Sequence, residues 1–393
     1  MLPLKGIRIL DLTTLNGFCP MEFADFGAEV IKVERPDGGD PVRVYPPFKD
    51  DVAVYHAFMD RGKKSITLDL KSEKGQELFK KLLKNADVVL ENFKVGTMEK
   101  MGLGYDVLSQ INPKLVYGAL TAFGSSGPLK NYICYDAIAQ ARSGVMDING
   151  FPAPNPPMKI GAFISDHYSS TYLSCAVMIA LYYSRATGIG QRVESSMVET
   201  LFSATDNRVA MLDKAETGWS RSGNAHPSIT PHDIVKCKDG YVVLEVATDE
   251  QWQKFCTAFE KPDWAVDPKY IDNASRGKNY FGDLRDSIED LFSSYGKNEI
   301  CDRLDEVDVP ASPVEMIEDA ITQEQVKARN MIVNIPHQVL GELAVPGKVI
   351  KFHDESEESD FVSAPLLGQN NDEIYGEVCS ADEIAELKAE GVI

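Results

Sequence analysis

Residues 7–34 read IRILDLTTLNGFCPMEFADFGAEVIKVE, and this stretch predicts one strand–helix–strand unit. Residues 7–12 form a short apolar run typical of a buried strand. Residues 21–27 have the character of a helix, and residues 28–34 have that of a second strand. A strand, a helix and a second strand in this order predict a βαβ unit, the building block of parallel sheets.

The same alternation continues along the chain. Strands are predicted at 65–70, 87–90 and 115–122, with an amphipathic helix at 71–85. Alternating strands and helices favour an α/β fold, here a large Rossmann-like domain whose mostly parallel sheet is covered on both faces. In such sheets ligands bind at the carboxyl ends of the strands, so the site is expected in the loops that follow strands.

Further elements predict a second, smaller domain. Residues 218–231 are rich in Gly, Ser, Asn and Pro and predict a linker. We therefore expect a first part of the large domain at 1–217, a small α+β domain with its linkers at 218–321, and a return to the large domain at 322–393, in the range of sizes usual for domains. The remaining predicted elements are a turn at 187–191, strands at 192–196 and 241–246, and helices at 170–183, 197–212, 249–259, 281–306 and from about 381.

The charge balance excludes some partners. The chain has 60 acidic residues against 40 Lys and Arg, for a net charge of -20. Nucleic acids and anionic membranes require clustered cations, so neither is an expected partner, whereas a small anion bound in a cleft is compatible with this charge. Residues 171–183 are too few to span a bilayer, and residues 1–6 leave no room for a signal peptide.

The cysteines and the missing motifs narrow the chemistry. Seven scattered cysteines without a C-x-x-C pair fit reduced thiols in a cytoplasm, and they argue against a zinc site. Glu34 ends the second strand as a ribose-binding acid would, yet the loop at 13–20 has one glycine and no G-x-G-x-x-G, which argues against an NAD site. The sequence has no G-x-S-x-G, Walker A or H-E-x-x-H motif.

One acidic residue has two possible roles. The segment ISDHYSS at 164–170 precedes a predicted apolar helix, so Asp166 or a neighbouring serine is a candidate N-cap. A carboxylate in that position also feels the positive end of the helix dipole and nearby amide donors, which suits a reactive group. The segment alone leaves both roles open.

A resemblance favours the reactive role. The segment YDAIAQARSG at 135–144, followed by Asp166, resembles the central signature of class III CoA-transferases, a family that includes formyl-CoA and carnitine CoA-transferases and acyl-CoA racemases. Further similar motifs are spread over nearly the whole chain: Asp11, GAEVIKVER at 27–35, ENF at 91–93, TGIGQ at 187–191, KDG at 238–240 and PLLG at 365–368.

The resemblance implies an activity and an assembly. It implies that the chain moves CoA from an acyl-CoA to a free carboxylic acid, and that Asp166 attacks the thioester to give a mixed anhydride and then an aspartyl-CoA thioester. No metal and no permanently bound cofactor is needed, since CoA and acyl-CoA are substrates. Family members are homodimers whose chains interlock, so an interlocked cytoplasmic homodimer is expected.

The resemblance also implies binding residues. It places five residues around CoA, and Asn16 as a hydrogen-bond donor to the acyl carbonyl. Lys63 or Lys64 is a further candidate for a phosphate contact. The five residues around CoA are Arg35, Asn92, Phe93, Lys100 and Tyr135.

The sequence departs from the family pattern near Asp166. Ser165 and Ser170 stand where many members have glycine, so the local hydrogen bonding is expected to differ. The segment PSITP at 227–231 replaces the glycine-rich loop of formyl-CoA transferases, which weakens formate and oxalate as substrates. Racemase members have a histidine where this chain has Tyr135, and tyrosine is a poor base near neutral pH. An acyl-CoA racemase and a non-catalytic CoA-binding homologue are the alternatives.

Overall fold

The computed structural model describes residues 2–215, 220–352 and 361–393. Within these ranges the chain forms two compact units, each with its own core. The large unit comprises Met1–Val145, Ile160–Thr205 and Glu324–Ile393, and the small unit comprises Met146–Lys159 and Asp206–Gln323. The expected domain boundary between 217 and 218, and the first two residues of the predicted linker, lie outside the described residues.

Six parallel strands form the main sheet of the large unit. Their order across the sheet is β3-β2-β1-β4-β5-β6, and every pairing is parallel; Leu10, for example, lies opposite Ile31 on one side and Val89 on the other. This order is that of doubly wound dinucleotide-binding folds, in which the sheet grows first one way and then the other. The predicted Rossmann-like parallel sheet is therefore confirmed. The strands are β1 (Arg8–Asp11), β2 (Glu29–Glu34), β3 (Lys64–Thr67), β4 (Val88–Glu91), β5 (Val116–Thr121) and β6 (Gln191–Ser196).

The helices alternate with these strands, continue through the small unit and end with three helices of the large unit. In chain order they are α1 (Phe18–Asp25), α2 (Val54–Met59), α3 (Glu73–Leu83), α4 (Thr97–Lys100), α5 (Tyr105–Ile111), α6 (Asp136–Arg142), α7 (Val145–Ile148), α8 (Ile164–Thr187), α9 (Met197–Ser203), α10 (Arg208–Lys214), α11 (Asp249–Ala258), α12 (Pro262–Val266), α13 (Asn273–Lys278), α14 (Arg285–Phe292), α15 (Lys297–Asp305), α16 (Ile317–Ala320), α17 (Glu324–Ala328), α18 (Asn371–Tyr375) and α19 (Ala381–Ala389). No helix of the described residues is both long and apolar enough to cross a membrane.

Both faces of the main sheet are covered. One face packs against α3 and the last two helices, and the other packs against α1 and α8. Gly118 in β5 allows α8 to come this close, because a Cβ atom there would lie 3.0 Å from Val177 and 2.7 Å from Leu90. Burial on both faces explains why these strands are continuous apolar runs in the sequence.

Three predicted helices have different limits in the structure. Helix α8 begins at Ile164, six residues before the predicted start at 170, so Asp166 lies inside it. The predicted helix at 197–212 is two helices, α9 and α10, and the chain between them turns through Asp206, whose φ of 60° is left-handed. The predicted helix at 281–306 is also two helices, α14 and α15, because Gly296 lies between them and caps the second.

The small unit is built on an antiparallel sheet. Its strands, in the order β9-β8-β7, are β7 (His232–Cys237), β8 (Gly240–Glu245) and β9 (Ala311–Pro313). Trp252, Phe255 and Phe292 fill its core. Arg276 is fully buried beside Trp252 and donates to the carbonyl oxygen of Thr230 at 2.7 Å. Two short antiparallel pairs, Phe48–Lys49 with Val52–Ala53 and Ile332–His337 with Gly341–Pro346, complete the strands of the large unit.

Candidate active site

Two loops meet where the direction of sheet growth reverses, between β1 and β4. The loop after β1 carries Thr14 and Asn16, and the loop after β4 carries Asn92 and Phe93. The side-chain amide of Asn92 joins them, since its Oδ1 accepts from the Thr14 amide and its Nδ2 donates to the Thr14 carbonyl, both at 2.8 Å. Ligands of doubly wound sheets bind at this reversal point, so the loops mark the candidate site.

A buried ion pair supports the loop after β1. Lys32 Nζ lies 2.7 Å from a carboxylate oxygen of Asp40 and donates to the Thr13 carbonyl at 3.0 Å. The other oxygen of Asp40 accepts from the amide of Leu15 at 3.2 Å. A buried charge without a partner is energetically very unfavourable, so separating Lys32 from Asp40 would be costly. The ion pair therefore holds the loop after β1 in one position.

Asp166 lies in the first turn of α8, three residues after the N-cap. The N-cap residue is Phe163, and no side chain caps this end of the helix. The N-cap role considered for Asp166 is therefore wrong, because the helix starts earlier than the apolar pattern indicated. In the first turn the carboxylate still benefits from the positive end of the helix dipole.

The surroundings of the Asp166 carboxylate raise its pKa. Its Oδ1 accepts a hydrogen bond from Asn16 Nδ2 at 3.0 Å, and its Oδ2 lies 3.4 Å from the Ser165 hydroxyl. Burial raises the pKa from 3.8 to about 6, repulsion from Asp136 adds to this, and the hydrogen bonds from Ser165 and Asn16 oppose it. Asp166 is thus an anion at neutral pH that is less well stabilised than an ordinary aspartate.

Asp136 is the second carboxylate of the site. It is buried, its Oδ1 accepts from both the amide and the hydroxyl of Ser165 at 2.9 Å, and its Oδ2 accepts from Gln140 at 2.7 Å. These contacts fasten α6 to the first turn of α8 beside Asp166. Asp136 is not among the candidate site residues from the sequence, although its four-residue spacing from Gln140 is a helical pairing signal.

Asn16 and Ser170 make a second contact between the loop after β1 and helix α8. Asn16 is 6% exposed and Ser170 is fully buried. The Ser170 hydroxyl donates to Asn16 Oδ1 at 3.0 Å, while Asn16 Nδ2 donates to Asp166. Ser170, which stands where a glycine was expected from the family pattern, therefore takes part in the hydrogen bonding of the site.

Two cavities flank these loops. The Asp166 cavity has a volume of about 300 Å³, and the residues along its wall include Asn16, Asn92, Lys94, Lys130, Tyr135 and Asp166. The Arg35 cavity has a volume of about 480 Å³, and its wall includes Arg35, Leu70, Lys71, Thr97 and Met101. Thr14 and Phe93 line both cavities. The volumes are in the range of sites for small molecules and cofactors.

Most of the candidate residues from the sequence lie at these cavities. Asn16, Asn92, Phe93 and Tyr135 are brought together with Asp166, whereas Arg35 and Phe93 line the neighbouring cavity. Lys100 is the last residue of α4, is exposed, and is not among the residues that line either cavity in the described chain.

Neither Lys63 nor Lys64 is available for a phosphate. Lys63 is buried and its Nζ lies 3.0 Å from Asp11 and 2.8 Å from Asp60. Lys64 pairs with Glu29 at 2.7 Å and with a glutamate of α18. The expectation that one of them reaches a phosphate is corrected, because carboxylates already occupy both ammonium groups. Among the described residues no group of three or more His, Cys, Asp or Glu side chains is arranged to hold a metal ion.

The chain is similar to known proteins over nearly its whole length. A family model described as CoA-transferase family III matches residues 4–371. The chain is 33% identical to an acetyl-CoA:oxalate CoA-transferase of Acetobacter aceti, with 93% of both chains covered. It is 35% identical to a succinyl-CoA:mesaconate CoA-transferase of Haloarcula hispanica, with 95% of this chain and 96% of the relative covered.

A solved structure has a similar fold. The crystal structure of a CAIB/BAIF family protein from Brucella suis superposes with a TM-score of 0.85 at 31% identity. The match covers 96% of this chain and 99% of that chain.

Proposed function

The chain belongs to CoA-transferase family III, and we propose that it exchanges CoA between carboxylic acids through covalent acylation of Asp166. The observation that carries this proposal is the Asp166 carboxylate, which lines a cavity, accepts a hydrogen bond from Asn16, and has a pKa raised to about 6 by burial. Such a group is ionised at neutral pH and therefore able to act as a nucleophile.

The first half of the reaction frees the donor acid. An Asp166 oxygen attacks the thioester carbonyl carbon, the new C–O bond forms, the C–S bond breaks, and CoA leaves as the thiolate. The thiolate then attacks Cγ of Asp166 in the mixed anhydride and displaces the donor acid as its carboxylate. Asp166 is left as an aspartyl-CoA thioester, and all charges balance without an oxidant or an external base.

The second half repeats these steps with the acceptor. The acceptor carboxylate attacks Cγ of the aspartyl thioester and releases the CoA thiolate. The thiolate attacks the acceptor's carbonyl in the new anhydride, which yields acceptor-CoA and free Asp166. In each attack at Cγ negative charge develops on an Asp166 oxygen, and Asn16 Nδ2, 3.0 Å from Oδ1, supports a role in stabilising it.

The two cavities support a placement for CoA. We propose that the thioester end lies in the Asp166 cavity and the phosphate end in the Arg35 cavity, with Phe93 and Thr14 on the path between them. Arg35 is exposed, and its guanidinium donates to the Gly39 carbonyl at 3.3 Å, which leaves donors for a phosphate. The proposed reaction uses no enzyme-bound metal ion or redox cofactor, because moving CoA between carboxylic acids transfers neither electrons nor hydride.

The wall of the Asp166 cavity supports a dicarboxylic acid as the substrate class. Lys94 and Lys130 are exposed, and within residues 2–215, 220–352 and 361–393 neither forms an ion pair. Two cations near the reacting carboxylate are suited to the far carboxylate of a substrate with two acid groups. Two of the relatives are named for the dicarboxylic acids oxalate and mesaconate.

Acylation of Asp166 is tested by trapping. The protein is incubated with acetyl-CoA, succinyl-CoA and longer acyl-CoA donors, treated with hydroxylamine, and mapped by peptide mass spectrometry. A donor-dependent hydroxamate at Asp166, absent in Asp166→Ala, is the expected result. If the protein binds CoA but no donor modifies Asp166, the proposal is contradicted, and a racemase or a CoA-binding homologue is favoured. Exchange of the α-proton of the acyl group then distinguishes these two, because only a racemase catalyses it.

The dicarboxylic substrate class has its own test. Lys130→Ala is expected to raise the KM for succinate as acceptor about tenfold and to leave the KM for a monocarboxylate such as butyrate unchanged, because only the second acid group needs the cation. Lys84→Ala is the matched control, since Lys84 is exposed and lines neither cavity. Equal changes with both acids contradict the assignment.

An exposed apolar stripe on α8 supports the proposed homodimer. Tyr172, Ile179 and Tyr182 are 47%, 65% and 80% exposed, and their spacing places them along one side of the helix. Large apolar side chains grouped in this way mark an interaction surface. We propose that a second copy of the chain covers these side chains, and that the enzyme is cytoplasmic.

Light scattering after size exclusion tests the dimer. The wild-type protein is expected to have twice the mass of one chain, and Ile179→Asp is expected to lower the measured mass. A wild-type monomer contradicts the proposal.

A further inference from the structure

Ser170 uses its hydroxyl differently from three other hydroxyl residues of α8. Ser169, Thr171 and Thr187 each donate to the carbonyl oxygen four residues earlier in the helix, at 2.6–3.0 Å. This is the usual local bond of Ser and Thr inside a helix. The Ser170 hydroxyl instead donates out of the helix to Asn16 Oδ1 at 3.0 Å.

The contact matters because the Asn16 amide has two chemically opposite ends. Its nitrogen is a donor and its oxygen an acceptor, and the two ends have almost the same shape. Only the orientation with Nδ2 towards Asp166 suits a carboxylate, and it leaves Oδ1 facing the buried Ser170. A buried carbonyl oxygen needs a donor, and Ser170 supplies it.

The rest of the loop does not determine this orientation. The Asn16 backbone amide donates to the Thr14 carbonyl at 2.7 Å, and Leu15 is anchored on Asp40. These contacts fix where the Asn16 backbone lies. They do not restrict rotation of the side-chain amide, which depends on its own two hydrogen-bond partners, Asp166 and Ser170.

We propose that Ser170 is a positioning residue that holds the Asn16 amide with Nδ2 directed at Asp166, and that in this orientation the amide also stabilises the acylated carboxyl group. The inference rests on the proposed acylation of Asp166. Ser170 touches neither the substrate nor the reacting atoms, and acts through Asn16. A glycine or alanine at this position lacks the donor for Oδ1, so Asp166 alone would hold the amide, and the Asn16 side chain would be free to rotate away from Asp166.

A double-mutant cycle tests this route. Ser170→Ala is expected to slow acylation of Asp166 about tenfold, as measured by rapid quenching and mass spectrometry of the adduct, and Asn16→Ala to slow it further. In the Asn16→Ala background, Ser170→Ala is expected to have no additional effect, since the group it orients is gone. Ser184→Ala is the matched control for loss of a buried hydroxyl of the same helix, because Ser184 donates to the Lys114 carbonyl instead.

The outcomes separate the inference from the function on which it rests. If wild type forms the adduct and Ser170→Ala has either no effect or the same effect in both backgrounds, Ser170 is only a packing residue and the inference fails. If wild type forms no adduct, the proposed function fails. The inference is then judged on the free protein, by the pH midpoint at which a carbodiimide and an amine label Asp166. Ser170→Ala is expected to raise that midpoint, and an unchanged midpoint overturns the inference.

Discussion

The raised pKa of Asp166 implies that its ionised carboxylate destabilises the fold. In the folded protein the pKa is about 6 instead of 3.8, chiefly because burial disfavours the anion. At pH 8 the carboxylate is ionised in both states, so the folded state bears the full cost. Asp166→Asn removes the charge and keeps the shape, and its amide oxygen is able to accept from Asn16. This variant is therefore expected to be more stable than wild type.

The size and sign of the effect follow from the pKa difference. A shift of about two units is worth about 3 kcal/mol, which solvent screening of the partly exposed group reduces to about 1–2 kcal/mol. Below pH 3.8 the group is protonated in both states and costs nothing. As the pH rises towards 6 the unfolded chain ionises first, so wild-type stability falls through this window and is constant above it. The gain of Asp166→Asn at pH 5 is then about half of that at pH 8.

Differential scanning calorimetry at pH 8 and pH 5 measures this gain. The Tm of Asp166→Asn is expected to exceed that of wild type by about 1–3 °C at pH 8 and by less at pH 5. Asp382→Asn is the control, because Asp382 is an exposed acid in the first turn of α19, where the helix dipole favours the charge. No gain at pH 8, or an equal gain at both pH values, refutes the reasoning.

Further predictions concern the pH profile, CoA binding and the small unit. The rate of Asp166 acylation, followed by rapid quenching, is expected to be constant above about pH 6 and to fall about tenfold per unit below it, because only the anion attacks. By isothermal titration, Arg35→Ala is expected to weaken CoA binding about tenfold through loss of a phosphate contact, and Lys100→Ala to leave it unchanged. Arg276→Met is expected to lower the stability by about 3 kcal/mol in urea unfolding, because buried carbonyls of the small unit lose their donor. A normal adduct yield in folded Arg276→Met separates this loss from catalysis.

The sequence predicts the sheet well because burial on both faces leaves a clear pattern. The predicted strand at 28–34 contains all of β2, and those at 87–90 and 115–122 contain most of β4 and all of β5. The helix limits are less predictable where polar residues lie inside a helix. The first turn of α8 contains Ser165, Asp166 and His167, and their polarity hides the helix from an apolar pattern. Tertiary contacts with Asp136 hold this turn in place, and no local propensity encodes them.

From the sequence, a residue of the site is predictable only if it lies in a recognised motif or directly after a predicted strand. Asn16 and Asn92 follow strands and so are expected at the carboxyl edge of the sheet. Whether a lysine is free depends on every carboxylate that the fold places beside it. Lys63 is a candidate from the sequence, yet it is enclosed by Asp60, three residues away, and by Asp11, which is distant in sequence. The Ser170 contact joins residues 154 positions apart, which no spacing rule anticipates.

The serines around Asp166 leave its carboxylate with one strong side-chain donor. Ser165 has a single hydroxyl proton, and its contact with Asp136 at 2.9 Å is shorter than its contact with Asp166 at 3.4 Å. Since one proton serves one strong bond, Asp136 receives it, and the proton of Ser170 goes to Asn16. Asn16 is therefore the main side-chain donor that stabilises the anion of Asp166, and in the proposed reaction it lies where charge returns when the thiolate attacks Cγ. A single amide that stabilises both states favours catalysis only if its bond strengthens in the transition state, and the residue that orients this amide contributes only through it.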